Sequence, residues 1–287
     1  MARIVLVLGM AVAMSIGQER EQKPLGFEAA SIKPNISTSP GRRIGVPGGR
    51  FVASNVTLKE LIATAYGQPG LIPQALLNYQ ISGGPNWIDS DRFNVDATAA
   101  GDVVRGSEGT RRKQLMLQAL LAQRFNLAMH HETKQMPVYA LVMARRDKRL
   151  GPKLRRSDVD CAPVLAARRT TNPPYFADDP CSSGVSIMGL LKGGSMTMSD
   201  LSVWFSKLLD RAVFDRTGLS GAFSVEVQFS SDGLPGLPPP PPGVAFPPSQ
   251  GPSIFVAVQE ELGLKLESTK GPVDVLVIDR VEKPTPD

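Results

Sequence analysis

The chain is poor in the residues from which metal and redox sites are built. Of its 287 residues only two are histidine and two are cysteine. The histidines, His130 and His131, are adjacent, a spacing that matches no zinc pattern, and two cysteines cannot make a four-thiolate site. Aromatic residues are also few, 6%, and no internal apolar run approaches the 20 or so residues of a membrane-spanning helix. The recognisable catalytic and nucleotide-binding strings G-x-S-x-G, H-E-x-x-H, Walker A and G-x-G-x-x-G are all missing, and Gly218-Leu219-Ser220-Gly221 has the wrong spacing for a nucleophile elbow. What remains is 42% apolar and 21% charged, which excludes a disordered chain and a polytopic membrane protein and leaves a globular protein of one or two domains.

The N-terminus carries an address. Met-Ala-Arg is followed by an apolar run, Ile4 to Ile16, and then by the abruptly polar Gln18-Glu19-Arg20-Glu21. This is the pattern of a signal peptide, too short for a membrane span. Ser15 and Gly17 supply small residues for cleavage between Gly17 and Gln18. The expectation is a signal peptide over 1–17, a flexible mature start over 18–26, and a periplasmic or secreted protein that does not span the membrane. In that compartment disulfides persist, so Cys161 and Cys181 are expected to close one surface loop worth roughly 3 kcal/mol.

Charge is uneven. Between Arg145 and Arg169 nine Lys or Arg face three Asp. Such a strip attracts nucleic acid or anionic surfaces, but export and the absence of a recognition motif argue against nucleic acid. The reading is a solvated basic linker, 151–192, that holds the disulfide loop. From Leu234 to Pro252 nine residues are proline, including Pro238 to Pro242. Such a run joins neither helix nor ladder, so 232–252 reads as a disordered surface insertion.

Comparing the chain with itself reveals a repeat. Leu117–Met129 aligns without gaps on Ile254–Leu266, and Thr133-Lys134 and Pro137-Val138 recur in order as Thr269-Lys270 and Pro272-Val273. Upstream, Gly48-Gly49-Arg50-Phe51 is set against Gly193-Gly194-Ser195-Met196, each leading into a helical stripe: Leu58, Leu61, Ile62, Ala65 and Leu201, Trp204, Phe205, Leu208. Thr57 and Glu60 form a capping box; Ser199 or Asp200 is expected to cap the second helix. Phe93–Asp96 and Phe223–Glu226 alternate like half-buried strands. The fold class expected is α+β: two tandem similar units, 27–150 and 193–284, each strand-helix-strand-helix-hairpin with helices on a mostly antiparallel sheet. The hairpins are expected at Leu127–His131 with Val138–Ala144 and at Leu264–Ser268 with Val273–Asp279, and each unit is expected to carry its own core.

Three acidic positions are candidates for chemistry. Asp89, Asp91 and Asp215 would serve a polysaccharide hydrolase if they converged, but turn geometry, capping and an ion pair within Asp215–Gly218 explain them without chemistry. His130 and His131 are expected to point to opposite faces. Asn35-Ile36-Ser37 and Asn55-Val56-Thr57 match the N-glycosylation pattern. No catalytic residue, metal or cofactor is assigned.

Taken in order, Phe27-Glu28-Ala29-Ala30-Ser31-Ile32-Lys33-Pro34-Asn35, Gly48-Gly49-Arg50-Phe51, Ile81-Ser82-Gly83-Gly84-Pro85, Asp89-Ser90-Asp91-Arg92-Phe93, Leu120-Leu121-Ala122-Gln123-Arg124-Phe125 and Asp215-Arg216-Thr217-Gly218-Leu219-Ser220-Gly221 resemble DUF3738, an uncharacterised family of exported Acidobacteria (Solibacter-type) proteins. The resemblance runs from about Phe27 to Pro284 and implies an exported envelope protein. The family has no established activity, so no site residue carries over. Each half is also faintly similar to the small α+β modules at the N-termini of secretins and outer-membrane receptors, an analogy of fold alone. The functional expectation is a non-catalytic recognition module for an envelope protein, peptide or polymer, with a carboxylate-dependent hydrolase and a structural envelope protein as alternatives.

Overall fold

The computed structural model describes residues 26–284 except 38–40, 46–48, 69–74, 100–105, 162, 165–178, 183, 188 and 237–250. The expected signal peptide and most of the proline-rich insertion lie outside the described residues.

Among the described residues the fold is a mixed α+β arrangement of three four-stranded sheets and five helices. The first half runs β1 (Phe27–Pro34), β2 (Arg43–Gly45), β3 (Arg50–Thr57), α1 (Leu58–Ala65), β4 (Ile81–Gly83), α2 (Trp87–Ser90), β5 (Arg92–Ala99), α3 (Gly106–Arg124) and β6 (Ala128–Met143). The second runs β7 (Leu154–Ser157), β8 (Val185–Ile187), β9 (Leu190–Met196), α4 (Met198–Leu209), β10 (Val213–Asp215), β11 (Ala222–Gln228), α5 (Ile254–Leu262) and β12 (Leu264–Arg280). Two outer sheets, β1-β5-β3-β2 and β7-β11-β9-β8, are antiparallel throughout.

The central sheet, β10-β6-β12-β4, differs from the expectation. The two segments read as hairpins are single strands, β6 and β12, paired antiparallel from Leu264 opposite Met143 to Arg280 opposite Ala128. Pro137 and Pro272, read as turn residues, sit inside the ladder. The Tyr139 N–H points away from β12 and donates to Ala212 O, so two residues earlier the proline's missing N–H also faces outward. There β10 has not yet begun, because its pairing starts at Tyr139. Pro272, opposite Gln135, has the same parity. A proline costs a strand little where its nitrogen meets no neighbour.

The flanking strands are exchanged. β4 from the first half lies parallel to β12, and β10 from the second half lies parallel to β6. Two separate cores follow, each completed by a residue from the other half. In the first, the buried faces of α1 (Leu58, Leu61, Ile62) and α3 (Leu117, Leu121) pack with Phe51, Phe93 and Val95 of the outer sheet and with Ile278 of β12. In the second, Leu201, Phe205, Ala257, Val258 and Leu262 pack with Phe223 and Val225 and with Leu141 of β6. Between them Val138, Ala212, Val273 and Val275 form a small cluster on one face of the ribbon.

Local chemistry explains where the helices begin. Thr57 accepts from the Glu60 N–H while Glu60 accepts from the Thr57 N–H, the capping box read from the sequence. The second helix is capped by Thr197, not by Ser199 or Asp200; Asp200 takes the reciprocal third position. Each cap contributes about 1 kcal/mol. Because Thr57 and Thr197 occupy the same place, the Gly48-Gly49 and Gly193-Gly194 strings do not correspond. The expected linker 151–192 is also revised: β7, β8 and the start of β9 lie within it.

Candidate functional site

Side-chain alternation on the second outer sheet gives it one buried and one open face. Leu154, Phe223, Val225, Val227 and Leu191 point into the core. The intervening residues Arg155 on β7, Ser224 and Glu226 on β11, and Lys192 on β9 face outward, with Arg155 opposite Ser224 and Lys192 opposite Glu226. A register shift between Phe223 and Val225 places the bulged Gly193-Gly194 segment beside them.

The end of the disulfide loop, Asp179–Ser182, rests on this face. Cys161 and Cys181 are bonded, with Cα atoms 5.4 Å apart, as the sequence predicts. Asp179 Oδ1 accepts from the Cys181 N–H, and Ser182 O accepts from both the Gly194 and Ser195 N–H groups. The loop lies so close that a Cβ on Gly194 would come within 2.5 Å of Asp179 O and 2.6 Å of Pro180. Gly194 is therefore the residue that lets Asp179 and Pro180 lie on β9. Sheet face and loop together enclose a groove of about 470 Å³, lined by Lys153, Arg155, Lys192, Glu226, Asp179 and Pro180, with the two glycines at its floor.

Its charges are arranged in two sets. Lys153 Nζ lies 2.5 Å from Glu226 Oε1 and Lys192 Nζ 4.0 Å from Glu226 Oε2, so one carboxylate serves two ammonium groups. Arg155 Nε donates to Pro152 O, and among the described residues its guanidinium joins no ion pair. None of these outward side chains is a nucleophile poised beside a base.

The acidic candidates are not brought together. Asp89 pairs with Lys59 at 3.0 Å. Asp91 pairs with Lys283 at 2.7 Å, and the same ammonium lies 5.6 Å over the Trp87 ring. The hydrogen bond from Lys283 holds the Asp91 carboxyl below its ordinary value. Asp215, on β10 at the edge of the central sheet, accepts from the Thr217 N–H and hydroxyl, so the turn is closed by Thr217 and not by the expected ion pair with Arg216. His130 and His131 lie within β6 rather than at a turn; His130 Nδ1 is 2.8 Å from Asp279, and strand alternation turns His131 to the other face. Asn35 and Asn55 hydrogen-bond to each other, and both bond to Asn94, linking β1, β3 and β5. Among the described residues no group of three or more His, Cys, Asp or Glu is placed to hold a metal, and no helix is long and apolar enough to cross a membrane.

The groove residues were partly visible in sequence. Lys153, Arg155 and Lys192 fall within the segment 151–192 read as linker, Gly194 in a repeat string and Glu226 in the alternating Phe223–Glu226 strand, and none of them is marked there as part of a site. An alternating Leu154-Arg155 step, apolar in and cationic out, is the clue that the strip contains a strand.

The molecule is thus an α+β protein of two outer sheets joined by an exchanged central ribbon, with a charged groove beside its disulfide. It belongs to the family described as protein of unknown function DUF3738, whose model matches residues 45–281. Searches of curated proteins and of solved structures found no match.

Proposed function

We propose that the chain is an exported, non-catalytic recognition module of the bacterial envelope that binds an envelope protein, peptide or polymer in the groove between the disulfide loop and the second outer sheet. The observation that carries this reading is the groove itself: a concavity of small-ligand size, about 300–1,000 Å³ being usual, lined by charges of both signs on an antiparallel sheet. A disulfide fastens its wall, which suits an oxidising compartment. The parallel order of elements in the two halves, and the identical order of their outer sheets, supports descent from one duplicated α+β unit.

Ser224 lies on the groove lining with its side chain outward, so Ser224→Trp fills the groove without touching the core. The wild-type chain should be retained on native envelope preparations and the Ser224→Trp variant should not. Equal retention of the two, with an unchanged melting temperature, would defeat the assignment. Export is tested separately: intact mass of the secreted protein should place Gln18 at its start, and retention of residues 1–17 would remove that part of the proposal.

A further inference from the structure

We infer that the groove is an oxyanion site, taking a carboxylate or phosphate group of its ligand at Arg155, with the Lys153–Glu226–Lys192 set contacting the polar atoms next to it. This rests on the recognition reading above and adds the chemistry of the ligand.

The argument is one of charge and geometry. Three cations, Lys153, Arg155 and Lys192, face two carboxylates in the lining, Glu226 and Asp179. Glu226 is shared by both lysines, and Asp179 has one oxygen committed to the Cys181 N–H. The lining keeps a net charge of +1, and Arg155 is the cation in it that joins no ion pair among the described residues; its fork has spent only Nε, on Pro152 O. A guanidinium presents paired N–H groups that match a carboxylate or phosphate in two parallel hydrogen bonds. Ser224 stands opposite it across the ladder; its hydroxyl donates to Arg155 O and keeps its oxygen as a neutral acceptor. Glu226, held between two ammonium groups, can accept from a hydroxyl or amide of the ligand. Pro180 forms a stiff rim that the disulfide fastens.

The surroundings work in the same direction. Arg145, Arg146, Lys148, Arg149, Lys153, Arg155 and Arg156 precede or form β7, against Asp147, Asp158 and Asp160. The stretch keeps a net positive charge, and such an excess raises the local concentration of anionic ligands near the chain.

The test uses the full mature chain in titration calorimetry with three probes: inorganic phosphate, trigalacturonate, and neutral maltotriose. Saturable binding of phosphate or trigalacturonate is expected, and which of them binds tells phosphate from carboxylate; maltotriose should not bind. Arg155→Glu should weaken the binding by about tenfold or more, as loss of a charge-assisted pair does. Lys148→Glu, the same charge change on the exposed strip outside the groove, should weaken it far less. Equal losses in the two variants would show diffuse attraction and overturn the site, as would binding of maltotriose with the affinity of trigalacturonate. If neither anion binds while Ser224→Trp still abolishes envelope retention, the oxyanion assignment falls and the recognition reading stands. If retention is also unaffected, both fall.

Discussion

Replacing Phe125 by alanine tests whether the exchanged strands make the two halves one cooperative body. Phe125 directly follows α3 with its side chain fully buried; its ring meets Phe93 edge-on at 5.3 Å and stacks near Trp87 at 6.4 Å. Truncating a buried Phe costs about 3–5 kcal/mol, including the cavity left behind, and the aromatic pairing accounts for about 0.5–1.5 kcal/mol of it. That is a large share of the roughly 5–15 kcal/mol that stabilises an ordinary domain. If each half stood on its own core alone, the loss would stay in the first half. The structure requires otherwise, since β12, which closes that core through Ile278, is also the ladder partner of β6 and the neighbour of α5. The chain has two tryptophans, one per core: Trp87 in the first, and Trp204 in the second beside Phe205 and Phe229. In a Trp87→Phe background Trp204 alone reports. Urea unfolding followed by its fluorescence should shift on Phe125→Ala by the same 3–5 kcal/mol or so that circular dichroism records. Leu262→Ala, costing about 2–5 kcal/mol, should be felt in turn at Trp87 with Trp204 replaced. A Trp204 transition that stays put while a separate, earlier step appears by circular dichroism would refute the coupling.

Other expectations follow from single contacts. Labelling of the denatured, unreduced protein should find no thiol, and reduction should cost about 2–4 kcal/mol of stability; two reactive thiols would contradict the Cys161–Cys181 bond. Gly194→Val should destabilise by about 1–3 kcal/mol through overpacking and speed reduction of the disulfide by lifting its loop off β9; an unchanged reduction rate would count against that seating. The Asp91 carboxyl, held low by Lys283, should titrate below the usual value of about 3.9 in a carboxyl-carbon NMR experiment. Its pairing is therefore complete above that value and lost as pH falls through the lower folded one. Lys283→Ala should bring the midpoint back up, and equal midpoints in the two proteins would show that the pair does not form in solution.

Much of the fold was legible in the pattern of apolar residues. The stripes Leu58-Leu61-Ile62-Ala65 and Leu201-Phe205-Leu208 are buried as the helical period demands, and Phe223–Glu226 alternates as a strand should. The hairpins were misread because proline and Lys-Gly stand where a turn would be. Whether a proline breaks a strand depends on which side its nitrogen faces, and that is a property of register, which local sequence does not carry. The same holds for the exchange of β4 and β10, three-residue strands whose partners lie far along the chain. The groove was half legible: the cations stood out, but the Gly194 contact that forms the wall is a meeting of two distant backbones.

The exchanged ribbon also sets a timetable for the chain as it is made. Everything up to Met143 is synthesised before the strand that finishes the first half exists, because β4 finds its partner only in Leu276–Ile278, within the last dozen residues. The Phe125 carbonyl likewise waits for the Glu282 N–H. A polypeptide emerging N-terminus first thus has no complete unit to fold early, and its slowest closures span most of its length. Removing the segment after Asp274 would leave the N-terminal half, not the C-terminal one, with its central sheet open and its core short of Ile278.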